Sequence, residues 1–147
     1  MSDEVSWPDY DRRKVLALRE PMFYGCIGFI DGTLVRIQRP QLPGEYAQRY
    51  YTRRKKMYAM NNTIVVDHDG LIIYIDPAYP GSYHDVSILR ESDLYKDWRQ
   101  YFTRENVEEG NDYSEYLLGD RKSFFIKSEN VSKPFLQQAI SEQICSL

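Results

Sequence analysis

The alternation of hydrophobic and polar positions predicts strands in three parts of the chain. An apolar run leads into Asp31 and strand-like residues follow it, so one long strand is predicted from Phe23 to Gln38. Apolar segments flank Asp67-His68-Asp69-Gly70, which predicts a β-hairpin with Gly70 in its turn. Tyr116-Leu117-Leu118 predicts a short buried strand that ends in Gly119 and Asp120.

A different spacing of apolar residues predicts helices between and around these strands. A short helix is predicted from Asp9 to Arg19, and a second begins near Ser82 to His84 and restarts at Ser92. The second helix places Asp85 in its first turn, and Ser132 is positioned to cap a last amphipathic helix. Three strands, a helix, a strand and a helix indicate a mixed α/β domain.

Size and composition favour one folded domain without a membrane span. The chain has 147 residues, 42% of them hydrophobic, and no apolar run approaches the roughly 18 residues that a membrane helix needs. Its first residues are acidic and polar, unlike a signal peptide, so an intracellular soluble protein is expected. Cys26 and Cys145 lie far apart without a nearby histidine, so neither a disulfide framework nor a zinc site is indicated.

Charge argues against nucleic-acid binding over the whole surface but leaves one local site. The net charge is −3 and the pI is about 5.4, whereas phosphate contacts need Lys and Arg. A loop with Pro40, Pro43 and Gly44 is predicted before one basic cluster. The cluster consists of Arg53, Arg54, Lys55 and Lys56, with Arg49 and tyrosines beside it. It is either a solvated loop that protects an edge strand or a contact site for phosphates.

Asp31 has two interpretations from local sequence. Asp-Gly between strand-like segments is typical of a hairpin turn, whereas a carboxylate at the end of a buried strand calls for a cation. Mg²⁺ and Mn²⁺ take carboxylate oxygens, and a clamp would form if the fold brought Asp31, Asp85 and Asp120 together. His84 beside Asp85 is either structural or orients a ligand.

Three motifs in order carry a family resemblance. "GFIDGT", "YPGSYHDVSILRES" and "YLLGD" resemble the PIF/Harbinger-type DDE transposase domain and the Harbinger transposase-derived nucleases. "WP", "YYTRRKKMYAMN" and "VVDHDG" extend the resemblance over about residues 7 to 120, and it fades near Phe125. On this basis residues 1–22 form a lead-in helix and residues 23–147 a DDE endonuclease-like domain.

The resemblance implies an RNase H-like mixed sheet with flanking helices and a metal-dependent endonuclease. Asp31 and Asp120 match the family's catalytic metal-binding aspartates, and Asp85 matches the acidic residue of its "GS…HD" motif, also a metal ligand. The implied cofactor is Mg²⁺ or Mn²⁺, the substrate DNA, and the location the nucleus. The residues from Arg53 to Lys56 would contact phosphates.

The chain departs from the family pattern near its C-terminus. The family's glutamate lies further beyond Asp120 than Leu147, the last residue. Glu129 and Glu142 are poor substitutes, since one is in a polar segment and the other on the polar arc of the last predicted helix. The fold is therefore expected to be incomplete there and to favour homo-oligomers through exposed apolar surface. The alternative function is a catalytically inactive remnant that acts as a DNA- or protein-binding module. A protein partner that supplies DNA binding is also expected.

Overall fold

A computed structural model describes residues 4–102, 115–119 and 125–127. The strands are β1 (Cys26–Arg36), β2 (Tyr51–Thr52), β3 (Met57–Val66), β4 (Ile72–Pro80), β5 (Tyr116–Gly119) and β6 (Phe125–Lys127). The helices are α1 (Tyr10–Ala17), α2 (Gly44–Gln48), α3 (Asp85–Glu91), α4 (Asp93–Lys96) and α5 (Trp98–Phe102). A 3₁₀ turn covers Pro21–Phe23. This is the mixed α/β domain that the sequence predicts.

The strands form a single mixed sheet around β1. The order is β2-β3-β1-β5-β6, and β4 also pairs with β3. β1 is antiparallel to β3 and parallel to β5, with Ile30 opposite Gly119. The first strand therefore lies beside the "LLGD" strand, which agrees with the RNase H-like arrangement that the resemblance implies.

β1 passes straight through Asp31 and Gly32 without a turn. Asp31 pairs with Ile64 and Gly32 with Thr63 inside one unbroken antiparallel register. The interpretation of Asp31 as a turn residue is therefore wrong, because long-range pairing with β3 keeps this Asp-Gly extended. A hairpin turn forms instead at residues 67–70, as predicted.

The predicted turn is held by its own first side chain. The Asp67 carboxylate accepts hydrogen bonds from the backbone N–H groups of Asp69 and Leu71, at 2.8 and 3.0 Å. Gly70 has a φ of 80°, a conformation that glycine adopts without steric cost. Arg12 and Arg19 form ion pairs with Asp69, so the turn also contacts the N-terminal part of the chain.

The predicted starts of three helices, α1, α3 and α4, are confirmed. Asp9 caps α1 by accepting the Arg12 N–H at 2.8 Å. α3 begins at Asp85, and Ser92 caps α4 by accepting the Tyr95 N–H. Local capping by Asp9 and Ser92 therefore sets the starts of α1 and α4.

The core lies between one face of the sheet and the helices. Its buried residues are Leu16, Ala17, Ile27, Ile30, Val65, Ile73, Leu89, Leu94, Phe102 and Leu117. Trp7 packs edge-on against Tyr101 and Phe102 and donates its indole N–H to the Tyr101 carbonyl at 2.7 Å. Cys26 is buried, and burial raises the pKa of its thiol to about 11.

A buried ion pair joins α1 to the residue before β5. The Arg13 guanidinium donates to the Glu115 carboxylate at 3.0 Å and to the Pro8 carbonyl at 2.8 Å. Both charged side chains are almost completely buried. This contact therefore ties α1 to the residue that precedes β5.

Several elements differ from the prediction. α2 lies where only a loop was predicted, and β2, α5 and β6 were not predicted. The second strand of the predicted hairpin, β4, continues beyond Asp76 through an irregular register at Pro77 and Ala78 and ends at Pro80. The connection at residues 103–114 and the helix predicted after Ser132 lie outside the described residues.

Candidate active site

Two of the three predicted aspartates fall within the described residues. Asp31 lies in the middle of β1 and Asp85 is the first residue of α3. Asp120 lies outside the described residues, together with Glu129 and Glu142. Asp120 directly follows Gly119, the residue that pairs with Ile30, and Asp31 directly follows Ile30. The residues before the two aspartates are thus neighbours in the sheet.

Asp31 stands where β1 leaves the core. Ile30 is 3% exposed, whereas the Asp31 side chain is exposed. One carboxylate oxygen accepts the backbone N–H of Gly32 at 2.8 Å. Within the described part of the chain, no basic side chain forms an ion pair with Asp31. Its oxygens are therefore accessible to a ligand from solvent.

Asp85 is held tightly against β1 and β3. Its Oδ1 accepts a hydrogen bond from the Asn61 side-chain amide at 2.7 Å, and that amide also lies 3.3 Å from the Tyr83 carbonyl. A Cβ atom added to Gly32 would lie 2.4 Å from the same Oδ1. Glycine at position 32 therefore makes room for the Asp85 carboxylate.

Asp31 and Asp85 lie on opposite faces of the sheet. Successive side chains of a strand point to opposite faces, and the β1–β3 register is unbroken here. The Gly32 side faces Asp85, so the Asp31 side chain points away from it. The structure thus brings Asp85 against β1 without bringing it to the Asp31 face. No cluster of three or more His, Cys, Asp or Glu residues suited to a metal occurs among the described residues, which do not include Asp120.

His84 occupies the N-cap position of α3, and its exposed side chain makes no capping hydrogen bond. The His84 side chain therefore does not stabilise the start of α3 by capping it. The two interpretations of His84, a structural residue or one that orients a ligand, both stay open.

A row of polar residues accompanies Asp85 on the buried face of the sheet. Gly32 pairs with Thr63, and Thr63 pairs with Asp76 on the next strand. Among the described residues, Asp76 Oδ2 and Asn61 Oδ1 are buried without a hydrogen-bond partner. Burial raises the pKa of the Asp76 carboxyl; a hydrogen bond from the Tyr79 side chain opposes this rise, and the negative charge of Asp93 adds to it.

Sequence reasoning missed Asn61 and the role of Gly32. A glycine inside a predicted strand is a signal of close approach by another group, and it could have pointed to the contact with Asp85. Asn61 has no comparable signal, because its partner is supplied by a helix 24 residues further along the chain.

The basic cluster forms the exposed turn between β2 and β3. Tyr51 pairs with Tyr58 and Thr52 with Met57, so residues 53–56 close a short hairpin. The side chains of Arg53, Arg54, Lys55 and Lys56 are all exposed. Tyr51 and Tyr58 pack edge-on at the base of the turn, with ring centroids 5.2 Å apart. The four charges are therefore presented together on a short, paired hairpin.

The chain matches a family model described as "DDE superfamily endonuclease" over residues 30–142. The matched region includes all three predicted aspartates and the basic turn, and it extends beyond Phe125, where the motif resemblance fades. Among the described residues, none belongs to a helix of the length and apolar character that a membrane span requires.

The chain is also similar to curated proteins named "Putative nuclease HARBI1". It is 29% identical over 124 residues to the Bos taurus protein and 30% identical over 104 residues to the Mus musculus protein. These alignments cover 80% and 71% of this chain but only 31% and 26% of the relatives. The chain thus spans about a third or less of their length. No solved structure matches.

Proposed function

Because this chain belongs to the DDE superfamily endonuclease family, we propose that it hydrolyses DNA phosphodiester bonds with a divalent metal held by aspartates. The pairing of Ile30 with Gly119 is the observation that carries the proposal, because it aligns the residues that precede Asp31 and Asp120. Parallel pairing of these strands favours a shared position for the two carboxylates.

Asp31 and Asp120 are the proposed catalytic and metal-binding residues. The exposed Asp31 carboxylate, without an ion-pair partner among the described residues, suits a hard cation such as Mg²⁺ or Mn²⁺. The metal would supply an activated water and stabilise charge on the phosphate oxygens. The role of the aspartates is to hold the ion and to neutralise part of its charge.

Asp85, predicted as a third ligand, receives a different proposed role. Its carboxylate faces away from Asp31, and the Asn61 amide already binds one of its oxygens. We therefore assign Asp85 to positioning β1 and the start of α3, and its predicted metal role is tested alongside Asp31.

DNA is the proposed substrate, with the turn from Arg53 to Lys56 as a phosphate-binding element. The turn's exposure and the family's description as endonucleases support this assignment. A nuclear location and a protein partner that supplies further DNA binding stay proposals from the family resemblance, and homo-oligomers also stay a proposal.

Calorimetric titration with Mn²⁺ tests the metal site in the full chain. Wild type should bind Mn²⁺, and Asp31→Asn and Asp120→Asn should each abolish the binding. Asp85→Asn should retain it if Asp85 only positions the backbone. Asp11→Asn, at an exposed aspartate in the first turn of α1, is the matched control and should bind like wild type.

Each outcome assigns the function. Binding lost in both variants, together with Mn²⁺-dependent nicking of plasmid DNA, would support the nuclease. Retention of Mn²⁺ binding by Asp31→Asn would contradict the site. No binding by a folded wild-type chain would favour the alternative, a catalytically inactive domain that binds DNA or a protein. Loss in Asp85→Asn would restore its predicted role as a ligand.

A further inference from the structure

Basic residues are concentrated in one short span of an otherwise acidic chain. The span from Arg36 to Lys56 holds seven Lys and Arg residues and a single acidic residue, Glu45, so its net charge is +6. The whole chain carries −3, so the other residues together carry −9. We call the seven basic residues the basic end: Arg36, Arg39, Arg49, Arg53, Arg54, Lys55 and Lys56.

The fold gathers this span at one end of the sheet. β1 finishes at Arg36, which lies opposite Ala59 near the start of β3. The β2–β3 turn comes immediately before β3, and the Ala59 N–H donates to the Tyr50 carbonyl at 2.8 Å, next to Arg49. Residues from the end of one strand, a loop, a short helix and a turn therefore share the same edge of the molecule.

The charges of the basic end are available to a partner. All seven side chains are exposed, and none forms an ion pair within the described part of the chain. The Arg49 guanidinium lies over the Tyr46 ring, 5.1 Å from its centroid, which orients it while leaving its charge unneutralised. A surface with so much unbalanced positive charge attracts a polyanion.

The sheet fixes the distance between the basic end and Asp31. Asp31 lies opposite Ile64, and β3 begins at Met57, seven residues earlier. At 3.2–3.4 Å per residue, the separation along the strand is about 23 Å. Phosphates of one DNA strand repeat every 3.4 Å along the helix axis, so this separation corresponds to about seven base pairs.

We propose that the basic end is a second DNA-binding site, which holds the phosphates of duplex DNA about seven base pairs from the bond cut at Asp31. The position of the cut and the phosphate contacts of Arg53 to Lys56 rest on the proposed function, whereas the contribution of Arg36, Arg39 and Arg49 and the spacing go beyond it. Duplex DNA is favoured because it stays straight over this distance, with a persistence length of about 150 base pairs. A flexible single strand would have to be ordered to reach both sites.

Salt-dependent DNA binding tests the basic end without requiring catalysis. Fluorescence anisotropy with a labelled 20-base-pair duplex would compare wild type, Arg53→Ala/Arg54→Ala and Arg36→Ala/Arg39→Ala. The matched control is Arg90→Ala/Lys96→Ala, which removes two exposed charges from α3 and α4. The slope of log affinity against log salt is negative, and each lost phosphate contact reduces its magnitude by about 0.9. Each basic-end variant removes two contacts and should therefore reduce the magnitude by about 1.8. The control should keep the wild-type slope.

Duplex length tests the spacing. Hairpin-closed duplexes of 5 and 12 base pairs would be measured with and without Mn²⁺. Only the longer duplex spans both sites, so Mn²⁺ should strengthen its binding more than that of the shorter one. Arg53→Ala/Arg54→Ala should reduce this difference. Equal strengthening of both duplexes in wild type would overturn the proposed spacing.

The outcomes separate this inference from the proposed function. Failure of wild type to bind Mn²⁺, combined with altered salt slopes in the basic-end variants, would reject the nuclease and keep the DNA site. Normal Mn²⁺ binding with unchanged slopes would reject the basic end as a DNA site. Tighter binding of single-stranded RNA or of an acidic peptide than of the duplex, with the same sensitivity to the variants, would also overturn it.

Discussion

The carboxylates on the two faces of β1 differ in packing and exposure. On the crowded face, Asp85 fills the space that a side chain at position 32 would occupy, and the Asn61 amide binds it. On the open face, Asp31 is exposed and accepts the N–H of the next residue. The difference separates two settings for an aspartate near a strand: Asp85 contacts two elements of the sheet, whereas Asp31 is exposed and is the residue that we propose to bind an ion.

Gly32→Ala should give the largest effect, a loss of about 1–3 kcal/mol in the free energy of unfolding, because the new methyl group overlaps the Asp85 carboxylate. Urea unfolding of the single variants and of the double variant with Asp85→Ala measures the cause directly. In the Asp85→Ala background the cost of Gly32→Ala should shrink, giving a coupling energy above about 0.5 kcal/mol.

Gly44→Ala is the matched glycine control, since a Cβ at position 44 would meet no atom within 4 Å. It should leave stability unchanged or raise it slightly, because alanine favours the helix. Additive costs of Gly32→Ala and Asp85→Ala would mean that the crowding has another source.

Asp76→Asn should raise the free energy of unfolding at pH 7 by about 1 kcal/mol, because it removes the charge of a carboxylate on the crowded face whose Oδ2 is buried without a hydrogen-bond partner among the described residues. Burial raises the pKa of Asp76, so the folded state binds its proton more tightly than the unfolded state. The contribution of the Asp76 carboxyl to the free energy of unfolding of wild type therefore rises as pH falls from the raised pKa toward about 3.9. The advantage of Asp76→Asn, measured by urea midpoints, should shrink over that window and would contradict this account if it grew.

Asp69→Asn should lower stability at pH 7 by less than Asp76→Asn raises it, because Asp69 is exposed. Hydrogen bonds from Arg12 and then Arg19 lower the pKa of Asp69. The stabilisation is present above about pH 3.9 and is lost as pH falls through the lowered folded-state pKa. Thermal unfolding at pH 7 and below pH 3 should show a deficit only at the higher pH, and 1 M salt should reduce it.

Asp31→Asn should change stability least, by no more than about 0.5 kcal/mol, since its exposed carboxylate has no ion pair among the described residues. Urea unfolding without metal gives the comparison. A decrease in the free energy of unfolding as large as that of Gly32→Ala would show that Asp31 has a structural role. It would contradict the difference proposed between the two faces of β1.

Turn and capping residues in the sequence correctly predicted the turn and the helix starts that depend on neighbouring residues. The turn at Gly70 and the caps at Asp9 and Ser92 each depend on residues within a few positions. Asp31-Gly32 carries an equally strong local turn signal, yet pairing with β3 keeps it extended. Long-range pairing therefore decided the case where the local signal pointed the other way.

Motifs singled out Asp31 and Asp85 as candidate residues but carried no information on their orientation. Their separation onto two faces of the sheet depends on the register of β1 against β3 and on the docking of α3. The ion pair of Arg13 with Glu115 joins residues 102 positions apart, so no local pattern could have revealed it. The 23 Å spacing to the basic end likewise follows from strand pairing.

The irregular end of β4 bears on how readily another strand can add to this edge of the sheet. In the described part of the chain β4 pairs only with β3, so its other side is a free edge. Pro77 and Pro80 have no N–H to offer a new strand, and Ala78, with a φ of 71°, bends the backbone between them. An incoming strand from another molecule would find a broken ladder there, so this end of β4 resists amyloid-like growth despite the apolar residues nearer its start.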